Sequence, residues 1–106
     1  MPNLDYIMAK IAKFSDTKFG VDRTFTAPLY HLKKEVDECI ESGEIEEYVD
    51  MQLLLLDSYR KRFPDFDTQI LLNCCEEKIE TLYKRKWGLP DENGVVEHIR
   101  KEVDNV

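Results

Sequence analysis

The twenty residues 31–50, HLKKEVDECIESGEIEEYVD, hold eight carboxylates and decide how the chain is read. Apolar residues on the N-terminal side, Leu29, Leu32, Val36, Cys39 and Ile40, recur at spacings of three and four, the period of one helical face. Gly43 then stands where a helix would stop. A new helical pattern begins near Glu44, with little more than Ser42, Gly43 and Glu44 between the two. A link this short forces two helices to run antiparallel as a hairpin.

Working outward, the same spacing governs most of the chain, which predicts an all-α fold, a helical bundle of four to five helices. A first helix is expected from about Leu4 to Phe14, with Leu4, Ile7, Met8 and Ile11 on one side. SDTKFGVDRTFT, residues 15–26, reads as a loop ending on Thr26 as a helix cap, with Pro28 in the next opening turn. The third helix lasts until FPDFD at residues 63–67, where Pro64 interrupts it. Its centre, MQLLLL at 51–56, is apolar nearly all round, which suits a helix enclosed by neighbours and pressed against a second subunit. A fourth helix runs from near Asp67 through Trp87, GLPDENG at 88–94 is a turn, and VVEHIRKEV at 95–103 is a short closing helix.

At 106 residues the chain is expected to form one domain, 1–106. Its 42% hydrophobic and 35% charged residues describe a globular helical protein rather than a disordered one. A net charge of −7 argues against binding nucleic-acid polymer, which depends on cations displacing counterions. Three cysteines, two of them the neighbours Cys74 and Cys75, make neither a disulfide framework nor a zinc cage. A reducing, cytoplasmic setting follows, and no stretch has the length or apolarity of a membrane span.

At 100° per residue, Glu35 and Glu38 fall on the shoulder of the second helix's apolar stripe, with His31 one turn before Glu35. Glu47 and Asp50 stand one turn apart on the third helix, on the side that also holds Leu54. The hairpin brings the ExxE and ExxD pairs together. Four converging carboxylates repel one another unless protonated or neutralised, and hard divalent cations take oxygen ligands, so a Mg²⁺ site resolves the conflict. A single ExxE is ordinary on a solvated helix face; two on consecutive helices, one beside a leucine, are less so. Glu41, Glu44 and Glu46 read as surface or capping residues and Asp37 as solvated. Asp57 is left open, and His31 reads as a packed or hydrogen-bonding residue rather than a ligand.

On the fourth helix Leu71, Cys75 and Leu82 make an apolar line that Lys78 interrupts, with Arg85 two turns on. Either their stems snorkel or, beside a metal cluster, the two cations hold a phosphate chain. Trp87 is either a core residue or a platform for a nucleobase.

With ExxE at Glu35 and Glu38, ExxD at Glu47 and Asp50, and KRKWGLPDENGVVEHIR at 84–100, the chain resembles the MazG-like all-α nucleoside triphosphate pyrophosphohydrolases. FSDTKFG at 14–20, HLKKEVDE at 31–38, EEYVD at 46–50 and GVVEHIR at 94–100 make it most similar to the dATP/dGTP diphosphohydrolase branch found in bacteriophages, over about residues 14 to 101. The resemblance implies Mg²⁺, with Mn²⁺ as a substitute, held by Glu35, Glu38, Glu47 and Asp50. It implies phosphate contacts from Lys78, and also from Lys84 and Arg85. It further implies sites built between the subunits of a homodimer or homotetramer, and action in a bacterial host's cytoplasm where the gene is a phage's. Relatives often carry Asn a few residues before the tryptophan, where this chain has Leu82, and the acidic pairs are closer together here than in many of them.

The reaction expected is hydrolysis of a purine deoxynucleoside triphosphate, dGTP or dATP, at the α-phosphorus to the monophosphate and pyrophosphate. Glu38, with Glu35 beside it, is the carboxylate expected to take the water's proton. The alternatives are a non-catalytic acidic helical module that binds a protein partner, and the same fold acting on another nucleotide.

Overall fold

The computed structural model describes residues 1–65 and 67–100. Four helices fill most of that length: α1 Leu4–Phe19, α2 Thr26–Ser42, α3 Ile45–Arg62 and α4 Thr68–Lys84. They belong to two compact units, Met1–Leu71 and Leu72–Val106, so that α4 begins in the first and ends in the second.

In the first unit α2 and α3 form the antiparallel hairpin. Gly43 makes the reversal in the left-handed region, at φ 64°, and its N–H closes α2 on the Cys39 carbonyl. A side chain would be strained at that φ, which is why glycine ends the helix. Glu44 follows in an extended conformation as the N-cap of α3. Leu56 near the middle of α3 is fully buried, while Leu55 beside it is 46% exposed. Met51, Leu53 and Leu54 are half-buried, so MQLLLL is covered round most of its circumference and open only along Gln52 and Leu55.

α1 is five residues longer than the sequence reading. It starts at Asn3, whose Oδ1 accepts from the Tyr6 N–H, and ends at Gly20, at φ 90°. Serine and aspartate at 15 and 16 read locally as loop formers, yet they extend the stripe of Met8, Ile11 and Ala12 by one further turn. Buried Ser15 donates its hydroxyl to Asp57 Oδ2 at 2.8 Å. Asp16 takes a two-pronged contact from Arg60, at 2.9 and 3.2 Å. Arg60 also donates to Asp57 Oδ1, and Lys61 lies 3.7 Å from Asp16. Asp57, undecided from sequence, is thus a structural hub that pins α1 to α3. Arg60 and Lys61 hold the Asp16 carboxyl below the usual carboxylate range, Arg60 through its hydrogen bonds first of all.

Other polar contacts fix the remaining ends of this unit. Ser58 donates to the Phe25 carbonyl at 2.7 Å, tying α3 to the start of α2. Phe25 is the N-cap there and no side chain caps the helix; Thr26 is already helical and its hydroxyl lies 2.7 Å from that of Thr24. Asp67 caps α4 by accepting the Ile70 N–H, and Asp5 of α1 accepts both the N–H and the hydroxyl of Thr68. Those two Thr68 hydrogen bonds hold the Asp5 carboxyl below its ordinary value.

In the second unit α4 stops at Lys84, short of Trp87. The closing helix is absent over 95–100, and residues 101–103 lie outside the described residues. Instead the chain doubles back: Gly88 N–H reaches the Glu97 carbonyl, Ile99 N–H reaches that of Lys86, and Trp87 and His98 form an antiparallel bridge. The reversal is the expected turn, with Asp91 Oδ1 accepting from the N–H groups of Asn93 and Val95 and Gly94 at φ 80°. Valine-rich sequence favours extended backbone, and the turn supplies a partner segment for it to pair with.

Replacing Asp57 with alanine leaves Arg60 and Ser15 short of an acceptor. This should cost about 1–3 kcal/mol, lowering the melting midpoint by roughly 5–20 °C. Asp37→Ala on the exposed side of α2 should move the midpoint by no more than about a few degrees; thermal melting by circular dichroism reads both.

Candidate functional site

From Leu29 onward the half-buried positions of α2 are Leu29, Leu32, Glu35 and Cys39, while Val36 and Ile40 of the expected stripe are exposed. Glu35 thus occupies a place on the inward stripe that a hydrophobic residue would ordinarily fill. On α3 the inward positions include Glu47, Met51 and Leu54, in register with it. The antiparallel hairpin then brings carboxylate oxygens of Glu35, Glu47 and Asp50 within 4.8 Å of one another.

Glu38 stands one turn beyond Glu35 on the more exposed shoulder. It belongs to the same acidic patch without joining the group of three: its carboxyl group is within hydrogen-bonding reach of Glu35. Shared hydrogen bonding with Glu38, loss of hydration and the nearby Glu38 and Asp50 charges push the Glu35 carboxyl above its ordinary value. His31 opposes that trend, with Nε2 3.1 Å from Glu35 Oε1. It acts as the hydrogen-bonding neighbour expected from its position one turn away.

Beside these acids, a cleft of about 230 Å³ lies among α1, α2 and α3. Glu35 and Asp50 face into it, together with Phe14, Leu53 and Leu54. Arg23, between α1 and α2, lines it as well and donates to Ser15 Oγ at 3.1 Å. Sequence reasoning passed over Ser15 and Arg23 because their partners are set by the fold and not by helical spacing.

The expected phosphate and base contacts belong to the second unit. Lys78 and Arg85 both act on His98, whose imidazole is held below its ordinary value by loss of hydration and by the charges of Arg85, Arg100 and Lys78. Arg100 Nε lies 3.0 Å from His98 Nε2, so the GVVEHIR segment adds a cation that the reading of α4 had not included. Lys84 is the last helical residue of α4. Trp87 is 43% exposed; its indole N–H donates to the Leu82 carbonyl, and its ring meets His98 edge to face. Leu82 therefore serves Trp87 through its backbone.

An oxygen-only donor set of three carboxylates, crowded enough to raise one of them, is chemically suited to a hard divalent cation. Comparison with known proteins agrees with the fold. A solved cyanophage S-2L MazG-like pyrophosphohydrolase, bound to dGDP and three catalytic Mn²⁺ ions per active site, superposes with a TM-score of 0.73 at 22% identity, covering 94% of this chain and 96% of that one. No curated protein matches. Among the described residues no helix is long and apolar enough to cross a membrane. The model of the dATP/dGTP pyrophosphohydrolase family matches residues 7–105, and the chain belongs to that family of nucleotide pyrophosphohydrolases.

Proposed function

We propose that this chain hydrolyses dGTP and dATP at the α-phosphorus, releasing the deoxynucleoside monophosphate and pyrophosphate, with Mg²⁺ held by Glu35, Glu47 and Asp50 and by Glu38 beside them. The observation that carries this reading is the meeting of three carboxylates from two consecutive helices within 4.8 Å, in a member of a family defined by this activity. Support for the metal comes from the cyanophage protein of the same fold, which binds Mn²⁺ and a purine deoxynucleotide. Mn²⁺ is accordingly expected to substitute for Mg²⁺.

The cation, when bound, neutralises phosphate charge and acidifies the attacking water. The protein's own residues do the rest. Glu35, Glu47 and Asp50 fix the ligand geometry, because each sits on a helix and two of the three are half-buried. His31 steadies the Glu35 carboxylate through its Nε2. Glu38, more exposed and less committed, accepts the proton that water loses as its oxygen bonds to phosphorus and the pyrophosphate oxygen departs. Lys78, Lys84 and Arg85 are the substrate-binding cations of the second unit, with the partly exposed Trp87 ring close to them in sequence.

The reading takes residues 1–106 as one hydrolase domain acting as a homodimer or homotetramer. Side chains left on the outer faces of the hairpin support the assembly: Tyr30 and Ile40 of α2, and Ile45, Tyr48 and Val49 of α3, are all exposed in the single chain. Large apolar side chains exposed in the single chain are what an interface between subunits would cover. The setting is the host cytoplasm, where such an enzyme encoded by a phage would drain dATP and supply dGMP, remodelling the nucleotide pool.

Purified protein with Mg²⁺ and dGTP or dATP should yield the monophosphate and pyrophosphate in equal amounts, and Asp50→Asn should lower kcat by about 10²-fold or more. Release of a nucleoside diphosphate and free phosphate would overturn the reading. Without metal, Glu35→Gln removes a carboxylate whose pKa is raised in the fold. Such a group binds its proton more tightly folded than unfolded, so its contribution is lost as pH rises through the carboxylate range. In EDTA at pH 7 the variant should therefore melt above the parent, and Mg²⁺ should raise its midpoint less than the parent's.

A further inference from the structure

We propose that the cleft among α1, α2 and α3 is the pocket for the purine base, and that Arg23 is the residue that selects a purine, by donating to its N7. This deepens the proposed hydrolysis and rests on it. The cleft joins the acidic site directly, since Glu35 and Asp50 are part of its lining. Its far end is marked by Asp57, seven residues along α3 from Asp50, or about 10 Å at 1.5 Å per residue. Ser15 bonds Asp57 there, and Arg23 bonds Ser15. A nucleotide whose phosphates lie at the carboxylate end thus directs its base toward Arg23.

The walls fit a flat heterocycle better than a phosphate. Phe14 and Phe19 meet edge to face, centroids 5.6 Å apart, and both rings are about half exposed. Such faces stack a base readily but strip water from an anion without compensation. At about 230 Å³ the space takes a base with its sugar and not a whole triphosphate.

Arg23 is held ready on two sides. Its guanidinium lies over the Phe19 ring, Cζ 4.9 Å from the centroid, and one Nη donates to Ser15. That is its only hydrogen bond among the described residues, leaving four of its five N–H groups for a ligand. A forked donor matches N7 of either purine, and N7 with O6 of guanine, whereas cytosine offers an N–H₂ donor on the corresponding edge. Purines are therefore preferred, and guanine over adenine.

Calorimetric titration with dGMP, 7-deaza-dGMP and dCMP in Mg²⁺ tests this without requiring turnover. The parent should bind dGMP about tenfold more tightly than the 7-deaza analogue, in which C–H replaces N7, and should bind dCMP more weakly still. Arg23→Ala should bring the dGMP to 7-deaza-dGMP ratio close to one; Arg23→Lys, which keeps a donor for Ser15 but loses the fork, should reduce it. Equal binding of the two guanine nucleotides by the parent, a ratio untouched by both variants, or no dGMP binding at millimolar concentration overturns the pocket. N7-dependent binding with no hydrolysis of dGTP would overturn the hydrolase reading alone, and hydrolysis indifferent to N7 the pocket alone.

Discussion

The two-residue connection between α2 and α3 is the constraint from which the rest of the site follows. Because Gly43 reverses the chain at φ 64°, the last turns of α2 must lie against the first turns of α3. ExxE precedes that turn and ExxD follows it, so acids that are harmless on separate helices become neighbours. The fold offers them only partial relief. Glu47 sits in the first turn of α3, where the helix dipole favours a negative charge, but Glu38 sits near the C-terminal end of α2, where it does not. Glu35 carries the consequence as a carboxyl raised above its ordinary value. A bundle selected for stability alone would place a leucine there, beside Leu32 and Cys39. Stability given up at a binding site is a familiar trade.

What secures α1 against the hairpin is largely polar. Leu56 is the fully buried hydrophobic side chain among the described residues, and around it Ser15, Asp57 and Ser58 are also buried. Two Asp57 carboxylate oxygens take Ser15 and Arg60, Arg60 also donates to Asp16, and Ser58 donates to the Phe25 carbonyl. No buried side-chain polar atom among the described residues lacks a partner. A network of this kind is specific as well as stabilising, because a shifted α1 would leave charges buried and unpaired. It also fixes how far α1 extends, and hence where Phe19 and Arg23 stand beside the cleft.

Sequence alone disclosed what depends on local spacing and little of what depends on distant partners. The hairpin was legible because period, glycine and link length all act within twenty residues. So were the acidic pairs and the role of His31, each defined by helical steps of three or four. The end of α1 was not, because Ser15 and Asp16 favour a loop in isolation and are held helical by residues more than 40 positions away. Asp57 was ambiguous for the same reason. The closing segment failed differently: VVEHIR has an acceptable helical pattern, but its backbone finds partners at Lys86 and Gly88 once the Asp91 turn folds. Composition gave no hint of that pairing, which arises from the turn at Asp91–Gly94 immediately before it.

The overall charge of −7 bears on how a protein like this acquires a polyanion. A negative chain repels a nucleoside triphosphate at long range, so attraction has to be local, within roughly a Debye length of about 8 Å at physiological salt. Around His98 the second unit gathers a local excess of positive charge. His98 registers it, since Lys78, Arg85 and Arg100 together outweigh Glu97 and depress its imidazole despite the acidity of the whole chain. In the proposed reaction these cations serve capture of phosphate while the carboxylates of the hairpin serve the metal. A lysine among Glu35, Glu47 and Asp50 would neutralise them permanently and remove the demand for a cation; Glu97 offsets only part of the charge of Lys78, Arg85 and Arg100. Each cluster is left with a demand that only a ligand of the opposite charge meets.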